Sequence, residues 1–169
     1  MKQKMMLMAV LLVTAAAVKA QYTSERNVGN YQTSKIYKIK IDAKASVLLV
    51  SNNMQQNISA EGDEAAVNDI ITSFNGEELV IASKSGADYK GKLVIKVPVK
   101  NLESLEVNAA SEVVSVETLQ SKYLDVVISS DCKLRLKSTG QINVSAADGY
   151  DFDYLYRSPR KVYINADED

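Results

Sequence analysis

The chain contains no histidine, no tryptophan, a single cysteine, two prolines and seven glycines among its 169 residues. Each scarcity excludes something. Without imidazole there is no Ser-His-Asp or Cys-His nucleophile and no histidine-ligated zinc. One cysteine, Cys132, cannot close an internal disulfide, and no Cys-x-x-Cys pair is available for redox chemistry. The glycines are scattered, so nothing reads as a glycine-rich loop for a nucleotide phosphate. Neither sign of charge dominates either. With 20 basic and 21 acidic side chains the formal charge is −1, which lacks the basic field that a nucleic-acid backbone requires. The expectation is a protein that is not an enzyme, with no catalytic residues, no metal ligands, no cofactor and no nucleic-acid partner. What remains is a chain of single-domain length, 46% hydrophobic with a mean hydropathy of −0.13, in the range of a soluble globular protein.

The first twenty residues read as an address. Lys2 and Lys4 precede an apolar run from Met5 to Val18, and Val18-Lys19-Ala20 supplies small residues three and one positions before Gln21. This is the pattern of a secretory signal peptide over residues 1–20, cut between Ala20 and Gln21. The run is shorter than the roughly 20 residues that span a bilayer. No transmembrane anchor is therefore expected after cleavage, and an extracytoplasmic location follows: periplasm, cell surface or medium. Cleavage would remove Lys2, Lys4 and Lys19 but no acid, leaving a mildly acidic chain. Residues 21–35 are polar and are expected to be a flexible N-terminal segment, followed by one domain over residues 36–169.

That domain alternates apolar and polar residues almost throughout, the mark of half-buried strands. Ile39 and Ile41 alternate with Lys38, Lys40 and Asp42; Leu93, Ile95, Val97 and Val99 form another run. The exception is Asp63 to Phe74, where Val67, Ile70, Ile71 and Phe74 stand at helical spacing, with Asp63 as N-cap and Asn75-Gly76 as the stop. One short amphipathic helix is predicted over residues 63–74. In the second half, Leu105/Val107, Leu124/Val126, Ile142/Val144 and Val162/Ile164 recur at offsets of 19, 18 and 20 residues. Each recurrence precedes a corner of small residues: Ala109-Ala110-Ser111, Ser129-Ser130-Asp131, Ala146-Ala147-Asp148 and Asn165-Ala166-Asp167. At about 3.3 Å per residue such a repeat allows one coil of two or three short strands, and stacked coils bury their inward side chains against one another. The fold class predicted is all-β, a parallel right-handed β-helix or solenoid of roughly 19-residue coils. An antiparallel sandwich also shows short, evenly spaced strands, but hairpin-turn signals are sparse in this half.

A shift of 18 residues lays Tyr150, Phe152 and Tyr154 over Cys132, Leu134 and Leu136, and sets Asp151 beside Lys133 and Asp153 beside Arg135. The aromatic stripe then belongs to the core, Cys132 is a small buried apolar residue, and outward charges alternate in sign between coils. Asp148, Asp151 and Asp153 are the densest acidic cluster. Their spacing misses the EF-hand pattern, and neighbouring Lys133 and Arg135 would oppose a calcium ion. Tyr150, Phe152, Tyr154 and Tyr156 could stack a sugar if exposed, although alternating aromatics are more often packed inside. Asp167-Glu168-Asp169 reads as a solvated end. Asn57-Ile58-Ser59 and Asn143-Val144-Ser145 match a glycosylation sequon that matters only in a eukaryotic secretory pathway.

Taken in order, a strand, Glu61-Gly62-Asp63 before a helix, a turn into Glu78-Leu79-Val80-Ile81, then Leu93-Val94-Ile95-Lys96-Val97-Pro98, then units beginning Leu102-Glu103-Ser104-Leu105-Glu106-Val107, resemble the auto-transporter adhesin "head GIN" domain family. Family members are found largely in secreted proteins of Bacteroidetes and commonly carry Gly-Ser-Gly at the corners, where this chain has alanine, serine and aspartate. The resemblance implies a β-helix-like fold in the cell envelope and supplies no catalytic or binding residue to carry over. The function expected is a non-enzymatic secreted or envelope binding and adhesion module for an envelope component, a glycan or a protein. The alternatives are a structural protein that self-associates as a homo-oligomer and a carbohydrate-active β-helix enzyme.

Overall fold

The computed structural model describes residues 23–31, 35–51, 57–86, 91–147, 152–157 and 162–166. The first half supplies β1 (Thr23–Gly29), β2 (Lys38–Asp42), β3 (Ser46–Val50), β4 (Ile58–Asp63), the helix α1 (Glu64–Asp69), β5 (Ile70–Phe74), β6 (Glu78–Ser83) and β7 (Leu93–Pro98). The second half supplies β8 (Ser104–Val107), β9 (Ser111–Ser115), β10 (Tyr123–Ile128), β11 (Cys132–Lys137), β12 (Gln141–Ala146), β13 (Phe152–Arg157) and β14 (Val162–Ala166). They form two seven-stranded sheets. One runs β1-β4-β7-β3-β9-β11-β13, the other β14-β12-β10-β8-β2-β6-β5. The inward residues of both belong to one aliphatic core, in which Val47, Ile95 and Val113 of the first sheet and Ile41, Ile81 and Leu105 of the second are fully buried. Each such side chain stabilises the fold by about 1.5–3 kcal/mol relative to exposure.

This topology keeps the all-β expectation and corrects the solenoid. Both sheets are mixed and neither closes on itself: β1 with β4, β4 with β7, and β5 with β6 run antiparallel, while β3, β9, β11 and β13, and β6, β2, β8, β10, β12 and β14, run parallel. Strand order also leaves chain order, since β7 lies between β4 and β3 and β2 lies between β6 and β8. The arrangement is that of a sandwich, not of one continuous coil. The repeat in the sequence has a simple origin. Beyond β7 the chain delivers strands alternately to two facing sheets, so every second strand meets its predecessor in parallel.

The helix is shorter than predicted. Asp63 caps it as expected, its carboxylate accepting from the Ala65 amide at 3.0 Å, but helical backbone ends at Asp69 and Ile70–Phe74 are β5. Ile70, Ile71 and Thr72 are β-branched and favour extended backbone. β6 offers them a ladder, pairing Ile70 with Ser83 and Phe74 with Leu79. Asn75-Gly76 is thus a hairpin turn, not a helix stop. Gly76 takes a φ of 108°, and the Asn75 side-chain oxygen accepts from the amides of Glu77 and Glu78. The segment expected to be flexible contributes β1, paired with β4, and the Tyr31 hydroxyl donates to the Thr72 carbonyl at 2.9 Å.

Register departs from the simple repeat by two residues in two places. Leu105 faces Val126 where Leu124 was expected, and Cys132 faces Phe152 where Tyr150 was expected. Asp153 consequently faces Lys133, and Arg135 faces Leu155. The ion pair of Arg135 is made instead to Glu112 of β9, at 3.2 Å. On the outer face of the second sheet, Lys40 of β2 and Glu106 of β8 are direct register partners and pair at 2.9 Å. The Asn108 amide donates to both Glu106, at 2.7 Å, and Asp42, at 2.8 Å.

Two links carry contrasting serines. The Ser138 hydroxyl donates to the Ser121 carbonyl at 3.2 Å and accepts from the Gly140 amide at 3.2 Å. The Ser121 hydroxyl is buried with no hydrogen-bond partner among the described residues. Gly140 is required between them, because a Cβ there would lie 2.1 Å from the Lys122 carbonyl oxygen. An unpaired buried hydroxyl costs about 1–3 kcal/mol, whereas a satisfied one contributes about 1 kcal/mol. Ser121→Ala is therefore expected to leave chemical-denaturation stability unchanged or higher, and Ser138→Ala to lower it by about 1–2 kcal/mol; equal losses would refute the assignment.

Hydrogen bonds from Lys40 and Asn108 hold the Glu106 carboxyl below its ordinary range, and the bond to Glu106 raises the Lys40 ammonium above its own. A depressed carboxyl contributes stability above the unfolded-state value and loses it as pH falls through the folded one. Glu106→Gln is expected to be measurably less stable than the parent at pH 7. The difference should close on acidification through and below the carboxylate range, and should shrink in 1 M salt because both partners are partly exposed.

Candidate binding groove

Four neighbouring parallel strands of the first sheet, β7, β3, β9 and β11, start side by side, with Val94, Ser46, Glu112 and Lys133 in one register row. Each strand is entered through small residues: Gly91, Ala43 and Ala45, Ala109 and Ala110, Ser129 and Ser130. Short side chains cannot fill the space above the strand starts, and a groove of about 950 Å³ remains, open to solvent. Its floor is visible in the burial. Leu93, Ala45, Ser111 and Cys132 retain 7%, 8%, 8% and 6% exposure, while Ile95, Val47, Val113 and Leu134, two residues further along, are sealed at 1% or less.

The rim carries charges of both signs. Lys92 and Lys44 stand at the β7 and β3 end; Glu112, Asp131 and Lys133 stand at the β9 and β11 end. Glu112 is engaged by Arg135 at 3.2 Å and accepts from the Ser46 hydroxyl at 3.5 Å. The groove thus sets a mostly apolar floor, interrupted by the Ser111 hydroxyl, under a charged rim.

Sequence reasoning read the small corners as a stacking requirement and did not see that they leave space. The signal was present in Gly91, Ala45 and Ala110 preceding strands of one sheet, but it could be used only once β7 was known to lie beside β3. Among the residues singled out earlier, Cys132 is buried in the floor as expected. Phe152, Tyr154 and Tyr156 occupy β13 opposite Cys132, Leu134 and Leu136, and Asp153 lies opposite Lys133. Asp148, Tyr150, Asp151, the tail Asp167-Glu168-Asp169 and the cleavage pair Ala20 and Gln21 lie outside the described residues. Among the described residues no three His, Cys, Asp or Glu side chains gather as a metal site, and no helix is long and apolar enough to cross a membrane. Asn57 is exposed just before β4, and Asn143 sits within β12, donating to Asp125 at 2.7 Å.

Burial, with a smaller contribution from the Asp131 carboxylate, pushes the Cys132 thiol up to about 11. The thiolate is the nucleophile, so the group is inert at neutral pH. Iodoacetamide at pH 8 is expected to label the native protein at least ~10-fold more slowly than the unfolded chain, whose thiol ionises near 8.5. Asp131→Asn should accelerate native labelling only slightly, as the removal of the lesser cause; native and unfolded rates that agree would contradict the burial.

Comparison with known proteins supplies the remaining information. The chain matches the family described as "Putative auto-transporter adhesin, head GIN domain" over residues 37–154. No curated protein sequence matches it. Among solved structures it is similar to one described as a putative lipid binding protein from Parabacteroides distasonis, at TM-score 0.56 and 15% identity, covering 85% of this chain and 72% of that one. It is also similar to a putative adhesin from Parabacteroides merdae, at TM-score 0.46 and 12% identity over 85% and 93% of the two chains. A third, a putative adhesin from Bacteroides fragilis, gives TM-score 0.47 and 11% identity over 87% and 94%. At such identities the first likeness is one of fold. The family match, which spans most of the sandwich, places the chain in the auto-transporter adhesin head GIN domain family.

Proposed function

We propose that this chain is a non-enzymatic binding or adhesion module acting outside the cytoplasm, exported by residues 1–20 and released between Ala20 and Gln21. Membership of a family described as adhesins supports the class. The observation that carries the reading is the outer face of the second sheet. There Tyr123 and Val127 of β10 stand 54% and 43% exposed on a rigid strand whose inward residues are sealed in the core. Beside them a polar lattice is already tied down: Gln141 donates to Asn143, Asn143 to Asp125, and Lys40 pairs with Glu106. Exposed aromatic and aliphatic groups amid preorganised amides and carboxylates are the composition of a recognition surface, and the groups forfeit little freedom on binding.

The experiment is a glycan array of neutral and acidic oligosaccharides probed with the full chain and with Tyr123→Ala/Val127→Asp. Retention of one glycan class by the parent, reduced at least ~10-fold in the variant at unchanged melting temperature, is expected, because substitutions at exposed positions shift stability by only about 0.5 kcal/mol. Binding indifferent to the variant would remove the face from the proposal. Growth of light scattering with protein concentration, abolished by the same variant and without glycan retention, would replace adhesion by self-association.

A further inference from the structure

We propose that two copies of this chain pair end to end through β13, each β13 lying antiparallel to that of the other copy about a two-fold axis at Leu155. This inference does not rest on the adhesion reading, which concerns the outer face of the second sheet. The strand order leaves four terminal strands, β1 and β5 at one end of the sandwich and β13 and β14 at the other. The first end is blunted. β1 breaks its register with β4 between Asn27 and Gly29, and irregularities of that kind discourage further pairing. The Thr72 hydroxyl of β5 donates to the Val28 carbonyl, the Tyr31 hydroxyl donates to the Thr72 carbonyl at 2.9 Å, and the Tyr31 ring lies 5.3 Å from that of Phe74. At the second end β13 and β14 each have a single strand neighbour among the described residues, β11 and β12 respectively. Such an edge offers a row of backbone donors and acceptors to another chain.

Charge order across the first sheet selects the partner. In register, Glu112 of β9 is followed by Lys133 of β11 and Asp153 of β13, a row that alternates in sign and ends on an acid. On the other side of Leu155, Lys137 is followed by Arg157, a row that ends on two like charges. Lys133, Arg135 and Lys137 are exposed, so both rows belong to the outer face. Opposite charges on directly opposed positions are stabilising and like charges destabilising. The strand that continues these rows best therefore sets a base beside Asp153, an acid beside Arg157 and an uncharged residue beside Leu155. β13 read backwards is such a strand. A two-fold axis perpendicular to the sheet at Leu155 sets Asp153 against Arg157 of the second copy, Arg157 against its Asp153, and Leu155 against Leu155. A slip of two residues either way would set Leu155 against Asp153 or Arg157 and lose the charge pairing, so the register is specified. β14 carries no charged residue between Val162 and Ala166, so the same axis brings no like charges together in the second sheet. The contact is isologous and the far end is blunted, so assembly stops at two.

Sedimentation equilibrium of the full chain is expected to show monomer and dimer with no larger species. Asp153→Arg and Arg157→Asp each set like charges together twice in the dimer, and each should weaken it by at least ~10-fold with an unchanged far-ultraviolet circular dichroism spectrum. An equimolar mixture of the two variants restores both opposite-charge pairs and should recover the dimer, which variants that had merely lost their fold could not do. Leu155→Cys should give a disulfide-linked dimer on mild oxidation, because directly opposed residues of antiparallel strands lie about 4.5–5.5 Å apart, within disulfide reach. Asp153→Cys, set against Arg157 of the second copy, should not. Tyr123→Ala/Val127→Asp, which tests the adhesive face, should leave the dimer intact. A monomer at concentrations up to ~1 mM, species larger than two, a dimer that both charge variants leave unchanged, a mixture that stays monomeric, a dimer abolished by the Tyr123 and Val127 substitutions, or cross-linking of Asp153→Cys in place of Leu155→Cys would each overturn the proposal.

Discussion

The structure depends on one constraint: every strand must keep its inward side chains on a single aliphatic core shared by two sheets. Side chains alternate across a strand, so a slip of one residue would turn Leu105 and Val107, or Leu134 and Leu136, out to water and bring Glu106 or Arg135 in. Several inward positions would change sides at once in each strand, at about 1.5–3 kcal/mol apiece. Parity is accordingly enforced far more strongly than any other feature. The polar contacts on the outer faces act within it, choosing among registers that parity already permits.

This division explains what could be read from the sequence and what could not. The inward sets of β2, β7, β10, β11 and β12 are visible as alternation, because each residue carries its own preference for water or core. Partner and register are collective properties. The two-residue displacements at Leu105 and at Cys132 keep parity intact, so the apolar pattern contains no signal against them; what selects the register is the length of chain spent in corners between strands. The same limit governs β5. Val67, Ile70, Ile71 and Phe74 satisfy a helical stripe, and only the presence of β6 as a hydrogen-bonding neighbour tips the β-branched half of the segment into a strand. Antiparallel returns such as β4 against β7 place together residues far apart in sequence and leave no periodicity to detect, which is why a repeat strong in the second half suggested a solenoid for the whole.

Corners link architecture to function. Where the chain leaves one sheet for the other, side chains at the bend must be small enough for neighbouring bends to lie close, and Gly140 shows the limit, with no room for a methyl group against the Lys122 carbonyl. On the first sheet the same economy of volume at Gly91, Ala45 and Ala110 has a different result. Among the described residues no opposing backbone fills the space over the strand starts, and the core shows through there by a few per cent at Leu93 and Cys132. The groove is thus a by-product of the rule that lets strands stack, which is why none of its residues reads as a site in isolation.

Charge gives that by-product its chemical character. The sequence is nearly balanced, and on the outer faces the balance is realised locally, as Lys40 with Glu106, Lys96 with Glu61 and Arg135 with Glu112. The groove rim gathers charges of both signs, Lys44, Lys92, Glu112, Asp131 and Lys133, by the order of the strands and not by the order of the chain. Lys44 and Lys92 are separated in sequence by four strands and a helix, yet the pairing of β7 with β3 brings their segments side by side. The composition of the groove is therefore a property of this topology, because the parallel pairing of β7 with β3 brings residues 91–94 beside residues 44–46.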